Sequence, residues 1–240
     1  MAERTVTTKR GFILYDDACT RHAHEDLFSP RQWARREALS GTVGGRGQTW
    51  IVHGEDGDWV LRHYRRGGLV AHLVSDHYLW SGLERTRAWR EWRLLDALYK
   101  DGFPVPQPVA AQVTRRGPWY RADLITRLIP DCRSLATALH ASRIEALPWQ
   151  AIGACIRRFH DAGIYHADLN AHNILLDAQG KVYLLDFDRG ERRHPGTLWQ
   201  EANLGRLLRS LRKFIAPSVI ESTAWNALLH GYQNGTIPAR

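Results

Sequence analysis

The stretch His166-Ala167-Asp168-Leu169-Asn170-Ala171-His172-Asn173, then the apolar run Val182-Tyr183-Leu184-Leu185 and the triplet Asp186-Phe187-Asp188, decides how this chain is read. Asp168 stands five residues before Asn173, and Asp186 thirteen residues after it, with a strand-like segment between. Asp186 and Asn173 bring hard oxygen donors of the kind that suit Mg²⁺. Asp168 is the carboxylate expected within hydrogen-bond reach of an acceptor hydroxyl, to position or deprotonate it. A plainer reading makes Asp168 and Asn173 loop-capping residues and Asp186 the end of a buried strand. Capping needs one Asx per turn, however, and has no use for a strand that returns a second carboxylate to the same place.

Taken together, H-x-D-x-x-x-x-N and the later D-F match the phosphoryl-transfer template of kinases, in which the chemistry is mostly positioning and charge neutralisation. In that template Asp168 is the catalytic aspartate, and Asn173 and Asp186 hold the magnesium that bridges the ATP phosphates. The template also asks for a glycine-rich hairpin and a cation on the strand after it. Gly44, Gly45, Arg46 and Gly47 lie between two candidate strands, where backbone can approach a phosphate, although glycine clusters are more often plain turns. None of the four lysines (Lys9, Lys100, Lys181, Lys213) falls on the next strand, Trp59 to Tyr64. Arg62 takes the phosphate-binding position by register, with Val60 two residues earlier on the same face and so placed to cover the adenine. Arg can grip phosphate bidentately, so the replacement is chemically tolerable; the alternative is an edge-strand Arg in solvent. Glu91 is the carboxylate expected to orient Arg62. Glu84 is its rival, but sits in the first helical turn, where acidic residues ordinarily complement the helix dipole.

The chain has 240 residues and a net charge of +8, carried by 33 Lys and Arg of which only four are Lys. Such a surface favours a polyanionic partner, whether a nucleotide, a nucleic acid or an anionic membrane. No run approaches the roughly 18 uncharged apolar residues of a membrane span, and the first thirty residues lack the apolar core of a signal peptide. An intracellular protein that does not span a membrane is expected. Cys19, Cys132 and Cys155 fit reduced thiols better than a disulfide framework. His160, His166 and His172, six apart, suit neither a helix face nor zinc spacing; His166 reads as a buried tie between the catalytic and metal loops, and His172 as loop surface.

The element pattern predicts an α+β, two-lobed, protein-kinase-like fold: a small β-rich N-lobe with one main helix, residues 1–128, and a mostly helical C-lobe, residues 129–240. After a polar start, Ser29-Pro30 opens a short basic helix with Trp33 at its centre. Strands follow the glycines; a helix is expected over Leu83 to Tyr99, with Trp89, Trp92 and Leu95 on one face. Pro104, Pro106 and Pro108 force an extended segment, and two strands, Val109–Thr114 and Trp119–Leu128, lead to a hinge at Thr126–Pro130. Helices are expected over Ser134–His140, Trp149–Asp161 and Leu198–Phe214. Asp188 stands where D-F-G has glycine, either helping coordinate the metal or capping the turn into Arg189-Gly190. Only about ten residues then precede the next helix, which leaves no room for a long activation loop and points away from protein substrates.

Trp33, the Gly44-Gly45-Arg46-Gly47 hairpin, Leu61-Arg62-His63-Tyr64-Arg65-Arg66-Gly67-Gly68, Arg90-Glu91-Trp92-Arg93-Leu94-Leu95, Val105-Pro106-Gln107-Pro108, His166 to Asn173 and Asp186 to Gly190 together resemble the lipopolysaccharide kinase family. The likeness spans about residues 28 to 215 and is closest to those members that act on 3-deoxy-D-manno-octulosonic acid (Kdo). The resemblance implies ATP- and Mg²⁺-dependent transfer of phosphate to the 4-hydroxyl of Kdo on Kdo-lipid IVA, a lipid A precursor. It implies Asp168 as the active-site residue, and a peripheral enzyme at the cytoplasmic face of the bacterial inner membrane. The basic charge agrees with an anionic membrane surface, with the Trp33 helix as candidate contact; no nucleic-acid partner is expected. Two readings compete: a heptose or aminoglycoside-type kinase, separable by acceptor assay, and a non-catalytic binding protein on a kinase scaffold. The intact Asp168, Asn173 and Asp186 speak against the second; the absent lysine speaks for it.

Overall fold

Trp59 and Leu61 are fully buried while Val60 and Arg62, their neighbours on one strand, are only partly so. This period of two is what a strand with one face on a core requires. The computed structural model describes residues 2–42, 49–65, 76–141 and 143–235. It divides into one unit of residues 1–97 with 106–128 and a second of residues 98–105 with 129–240. The fold is α+β.

In the first unit an antiparallel sheet carries β1 (Glu3–Thr7), β2 (Gly11–Asp16), β3 (Leu39–Thr42), β4 (Thr49–Gly54), β5 (Gly57–His63), β6 (Tyr78–Leu79), β7 (Pro108–Arg116) and β8 (Trp119–Arg127). Their order is β1-β2-β7-β8-β5-β4-β3, with β6 beside β8. The hairpin β1–β2 was read from sequence as a polar start: β1 is exposed along its whole length and so shows no alternation, and β2 is defined by pairing with the distant β7. Two helices join the sheet, α1 (Pro30–Arg35) and α2 (Arg87–Lys100). The α2 helix starts at Arg87, four residues later than expected, because Leu83–Arg85 forms a separate 3₁₀ turn closed by the Thr86 hydroxyl on the Leu83 carbonyl.

Trp33 is the clearest departure from the sequence reading. It is 5% exposed, its indole N–H donates to the Leu27 carbonyl at 2.8 Å, and its ring meets Trp59 edge to face at 6.1 Å. A large aromatic with its one donor satisfied belongs to the core, so Trp33 is not the membrane contact. With Ile13, Val52, Leu61 and Ile125 it forms the apolar centre of this unit.

The second unit contains β9 (Arg133–Ser134), α3 (Leu135–Ala141), α4 (Trp149–Asp161), β10 (Ile164–Tyr165), β11 (Ile174–Leu176), β12 (Val182–Leu184), β13 (Glu191–Arg192), α5 (Thr197–Leu211) and α6 (Pro217–Val219). A π turn at Ile220–Ala224 continues into α7 (Trp225–Asn234). Ile152, Ile156 and Phe159 of α4 are buried as their spacing indicates. Helix α7, absent from the sequence reading, packs closely on α4: a Cβ on Gly153 would stand 1.9 Å from the Leu228 carbonyl oxygen, and one on Gly231 2.0 Å from that of Gln150. His160 and Tyr232 join the same two helices through an Nδ1 to hydroxyl contact of 2.7 Å. Among the described residues no helix is long and apolar enough to cross a membrane.

Candidate active site

Strand β5 delivers Arg62, and helix α2 delivers Glu91 on its buried stripe with Ala88, Trp92 and Leu95. A buried carboxylate requires partners. Glu91 has two on one oxygen: Arg62 Nη2 donates at 2.5 Å and the Tyr64 hydroxyl at 2.5 Å. The Arg62 guanidinium also lies over the Tyr64 ring, 4.7 Å from its centre. Glu84 instead faces Arg93, outside the helix and exposed. The carboxylate opposite Arg62 is therefore Glu91, and Arg62 is not a solvent-facing edge residue. Val60 lies two residues back on the same face of β5. His63, on the opposite face, receives Asp123 at 2.7 Å and Asp76 at 3.4 Å; the hydrogen bond to Asp123 raises its pKa. Gly44, Gly45, Arg46 and Gly47 lie outside the described residues, as do Arg66, Gly67 and Gly68.

In the second unit the segment from His166 to Asn173 is a loop between β10 and β11, held by groups of three kinds. His166 is 3% exposed; its Nε2 meets the Leu185 carbonyl at 2.8 Å and its Nδ1 accepts the Asp168 N–H at 3.2 Å. One ring nitrogen thus donates and the other accepts, which fixes a neutral tautomer, and burial lowers the pKa of the ring in the same sense. The antiparallel pair β11–β12 sets Ile174 opposite Leu184, and the next bond, Leu185 N–H to the Asn173 carbonyl at 2.9 Å, brings Asn173 and Asp186 to the same end of the hairpin. Phe187 anchors that end, its ring stacked on Phe159 at 5.7 Å and meeting the tilted His166 ring at 4.8 Å. Asp186 has φ of 60°, a left-handed conformation uncommon for a non-glycine residue and concentrated at functional sites. Asp188 lies in a turn closed by Gly190 N–H on the Phe187 carbonyl at 2.7 Å.

The third set of contacts comes from α5, and sequence reasoning missed it. Asn203 accepts the His166 N–H at 3.4 Å and donates to the His166 carbonyl at 3.0 Å. Arg206 Nη1 donates to Asp168 Oδ1 at 3.1 Å, and the Ser210 hydroxyl accepts the Ala171 N–H at 3.1 Å. Positions 203, 206 and 210 share one face of a helix, so a single stripe of α5 holds the loop backbone at His166 and Ala171 and meets the Asp168 side chain between them. The signal in the sequence is polar residues interrupting the leucine stripe of this helix; Asn203 and Ser210 are buried without being apolar. Asn170 completes the set, its Nδ2 donating to Asp168 Oδ2 at 3.1 Å.

The donor set suits a magnesium ion. Asn173 Nδ2 donates to the Asp168 carbonyl at 2.9 Å, which directs the amide oxygen away from that bond as the end able to meet a cation. With the Asp186 carboxylate this makes two protein oxygens. Mg²⁺ is characteristically bound through one or two carboxylates plus substrate phosphates and water, not in an all-protein cage. Accordingly, no group of three or more His, Cys, Asp or Glu among the described residues is arranged to hold a metal alone. A cavity of about 610 Å³ lies at the other end of the β11–β12 hairpin, around Cys132, Pro148 and the Asp177–Gly180 turn, and includes none of these groups.

Residues 31–232 match the model of the lipopolysaccharide kinase (Kdo/WaaP) family. The chain is 49% identical over 212 residues to the 3-deoxy-D-manno-octulosonic acid kinase of Stenotrophomonas maltophilia, covering 88% of this chain and 84% of that one. It is 49% identical over 203 residues to the enzyme of the same name from Xanthomonas campestris pv. campestris, covering 85% and 81%. With that of Xylella fastidiosa the identity is 47% over 205 residues, covering 85% and 82%.

Proposed function

The chain belongs to the lipopolysaccharide kinase (Kdo/WaaP) family, an enzyme family of phosphotransferases with an alcohol acceptor, and from that premise we propose that it phosphorylates the 4-hydroxyl of Kdo on Kdo-lipid IVA, using ATP and Mg²⁺. The observation that carries this reading is the near-full-length identity of 49% to kinases named for Kdo. The built catalytic loop supports it: Asp168 is exposed at 52% of its side chain while the residues around it are fixed from three sides.

In this reading Asp168 receives the acceptor hydroxyl, orients it and takes up its proton as the phosphoryl group is transferred. Asn173 and Asp186 hold Mg²⁺, which when bound neutralises the charge of the ATP phosphates. Arg62, fixed by Glu91 and Tyr64, supplies the phosphate-gripping cation ordinarily provided by lysine. Val60 covers the adenine, and Gly44, Gly45, Arg46 and Gly47 belong to the nucleotide-binding residues. We assign the nucleotide-binding residues to the N-terminal portion, 1–128, and the catalytic and metal-binding loops to 129–240.

We place the enzyme at the cytoplasmic face of the inner membrane, held peripherally by charge. The net charge of +8 supports this. So does a patch on the sheet, where Trp119 is the cross-strand partner of both Arg116 and Leu79. Direct cross-strand partners project from one face; Leu79 is 62% and Trp119 40% exposed. Lys9 and Arg10 lie on the neighbouring β1–β2 turn, where the Arg10 carbonyl accepts the Arg115 N–H at 2.8 Å. Exposed Trp and Leu with Arg beside them suit the headgroup layer of an anionic membrane. No nucleic-acid partner is assigned.

The test is transfer of label from γ-labelled ATP to purified Kdo-lipid IVA, beside heptose-bearing and aminoglycoside acceptors. Incorporation into Kdo-lipid IVA alone, with the phosphate mapped to the 4-position, is expected. Transfer to heptose or aminoglycoside in its place would replace this acceptor.

A further inference from the structure

The catalytic aspartate is paired to a cation that its own placement does not require. Asp168 Oδ1 accepts from Arg206 Nη1 at 3.1 Å, with the two side chains 52% and 47% exposed. The other oxygen, Oδ2, is already held by Asn170. The backbone on either side is fixed by His166, Asn203 and Ser210. An ion pair this exposed contributes little to stability. It also takes up one of the acceptor positions of the carboxylate that an incoming hydroxyl has to reach. Arg206 thus stands where the acceptor has to arrive.

Arg206 is the first of a row. Arg209 follows three residues later on the same face of α5 and Lys213 lies in the turn just past its end, all three exposed. Among the described residues neither Arg209 nor Lys213 has an acidic partner. This row begins at the catalytic carboxylate and carries charge opposite to that of an acidic sugar. An acceptor carboxylate brought next to Asp168 without such a cation would face like charge at close range, an arrangement that disfavours binding. A guanidinium offers five N–H donors in a planar fork that matches a carboxylate with two parallel bonds, and Arg206 uses one of them on Asp168.

We propose that Arg206 is the residue that recognises the carboxylate of the acceptor sugar acid, with Arg209 and Lys213 extending the same anion-binding face along α5. The proposal rests on the reading of the acceptor as a Kdo sugar. As the sugar docks, its carboxylate takes the guanidinium fork from Asp168, and the released Oδ1 accepts the hydroxyl to be phosphorylated. One arginine then couples selection of an acidic sugar to exposure of the catalytic oxygen, so a neutral sugar leaves Asp168 engaged.

The experiment measures kcat and KM for the unaltered enzyme, Arg206→Ala and Arg206→Lys, on Kdo-lipid IVA and on the same acceptor with its carboxylate converted to a carboxamide. Hydrogen bonds to charged groups correspond to roughly tenfold to a hundredfold in binding. The unaltered enzyme is expected to prefer the carboxylate by about that factor. Arg206→Ala should lose it, chiefly through KM, on the carboxylate acceptor while losing less than about threefold on the carboxamide, so that the preference collapses. Arg206→Lys should recover part of it, since the charge survives and the fork does not. Equal losses on both acceptors would overturn the proposal, and because the carboxamide keeps its lipid phosphates, would assign Arg206 to phosphate or to Asp168 alone. An unaltered enzyme that uses both acceptors equally would overturn it as well. Failure of the unaltered enzyme on both acceptors is the distinct result that sinks the Kdo reading, and the proposal with it.

Discussion

The side-chain amide of Asn203 closes both backbone groups of His166, accepting its N–H at 3.4 Å and donating to its carbonyl at 3.0 Å. Asn203 is 2% exposed and sits in the middle of α5, thirty-seven residues beyond the loop it holds. A buried loop has no ladder to satisfy its polar backbone, so a side chain must do it. The same helix holds the Ala171 N–H through Ser210, which makes α5 the template of the loop that carries Asp168.

Asn203→Leu, close in volume, should leave the His166 N–H and carbonyl buried without partners. Each such group costs about 1–3 kcal/mol. Urea unfolding should show a loss in that range or its double, and turnover should fall because the Asp168 loop loosens. Unchanged turnover in a destabilised variant would confine Asn203 to stability.

Asp168→Asn keeps the shape of the side chain and removes its capacity to accept the hydroxyl proton. Turnover should fall roughly a hundredfold or more, while ATP affinity, measured by equilibrium titration, stays within about twofold. Near-normal turnover would take Asp168 out of the chemistry.

Arg62 is expected to act on both fold and nucleotide. The Glu91 side chain is 1% exposed and that of Arg62 23%; removing one partner of a buried pair costs about 3–5 kcal/mol, because the other charge stays buried. Tyr64, still bonded to Glu91, should hold the loss in Arg62→Ala toward the low end. That variant should also lose ATP affinity, whereas Arg62→Lys should keep partial activity. Equal ATP affinity in Arg62→Ala and the unaltered protein, under conditions where both are folded, would place the phosphate cation elsewhere, with Arg65 the next to test.

Much of the site is legible as spacing, because the catalytic loop and the β11–β12 hairpin are short and local: His166, Asp168, Asn173 and Asp186 lie within twenty-one residues. The Arg62–Glu91 contact is legible too, since a carboxylate on the apolar stripe of a helix must have a cation to meet. What sequence did not reveal depends on distant pairing. Strand β1 has no buried face and exists through β2, which itself pairs with β7 about a hundred residues away. Trp33 looked like a surface aromatic because arginines flank it, yet a helix of six residues can bury one side chain while its arginines stay exposed. Asn203 and Ser210 are polar in sequence and buried in the fold, and periodicity cannot separate that from an exposed face.

His160 should set part of the acid limit of stability. Burial between α4 and α7 lowers its pKa to about 4, against the ordinary 6.5. Below pH 6.5 the unfolded chain takes up a proton that the folded protein refuses until about pH 4, so this group destabilises the fold as pH falls through that window and contributes nothing further above it. Between pH 7 and pH 5 the loss from His160 is about 2 kcal/mol, and His166, lowered by burial in the same sense, adds to it. His160→Gln cannot titrate and can still accept from the Tyr232 hydroxyl. Its unfolding free energy should be lower at pH 7 but flatter between pH 7 and 5; a slope equal to that of the unaltered protein would remove His160 from the acid limit.

Membrane attachment by charge can be separated from core packing, because Trp33 and Trp119 occupy opposite environments. Exposed attraction weakens as the Debye length shrinks from about 10 Å at 0.1 M salt to about 3 Å at 1 M, so binding to anionic vesicles should fall steeply over that range. Trp119→Ala with Leu79→Ala and Arg116→Ala, all at exposed positions, should weaken vesicle binding while leaving the melting temperature nearly unchanged. Trp33→Ala should do the reverse, costing about 3–5 kcal/mol of stability as a buried aromatic and leaving the vesicle affinity of the folded fraction intact. Phosphorylation of a delipidated Kdo acceptor should be insensitive to the triple replacement, since only access to the bilayer is altered. Binding that is independent of salt would rule out the electrostatic attachment. Salt-sensitive binding that survives the triple replacement would move it to another basic surface.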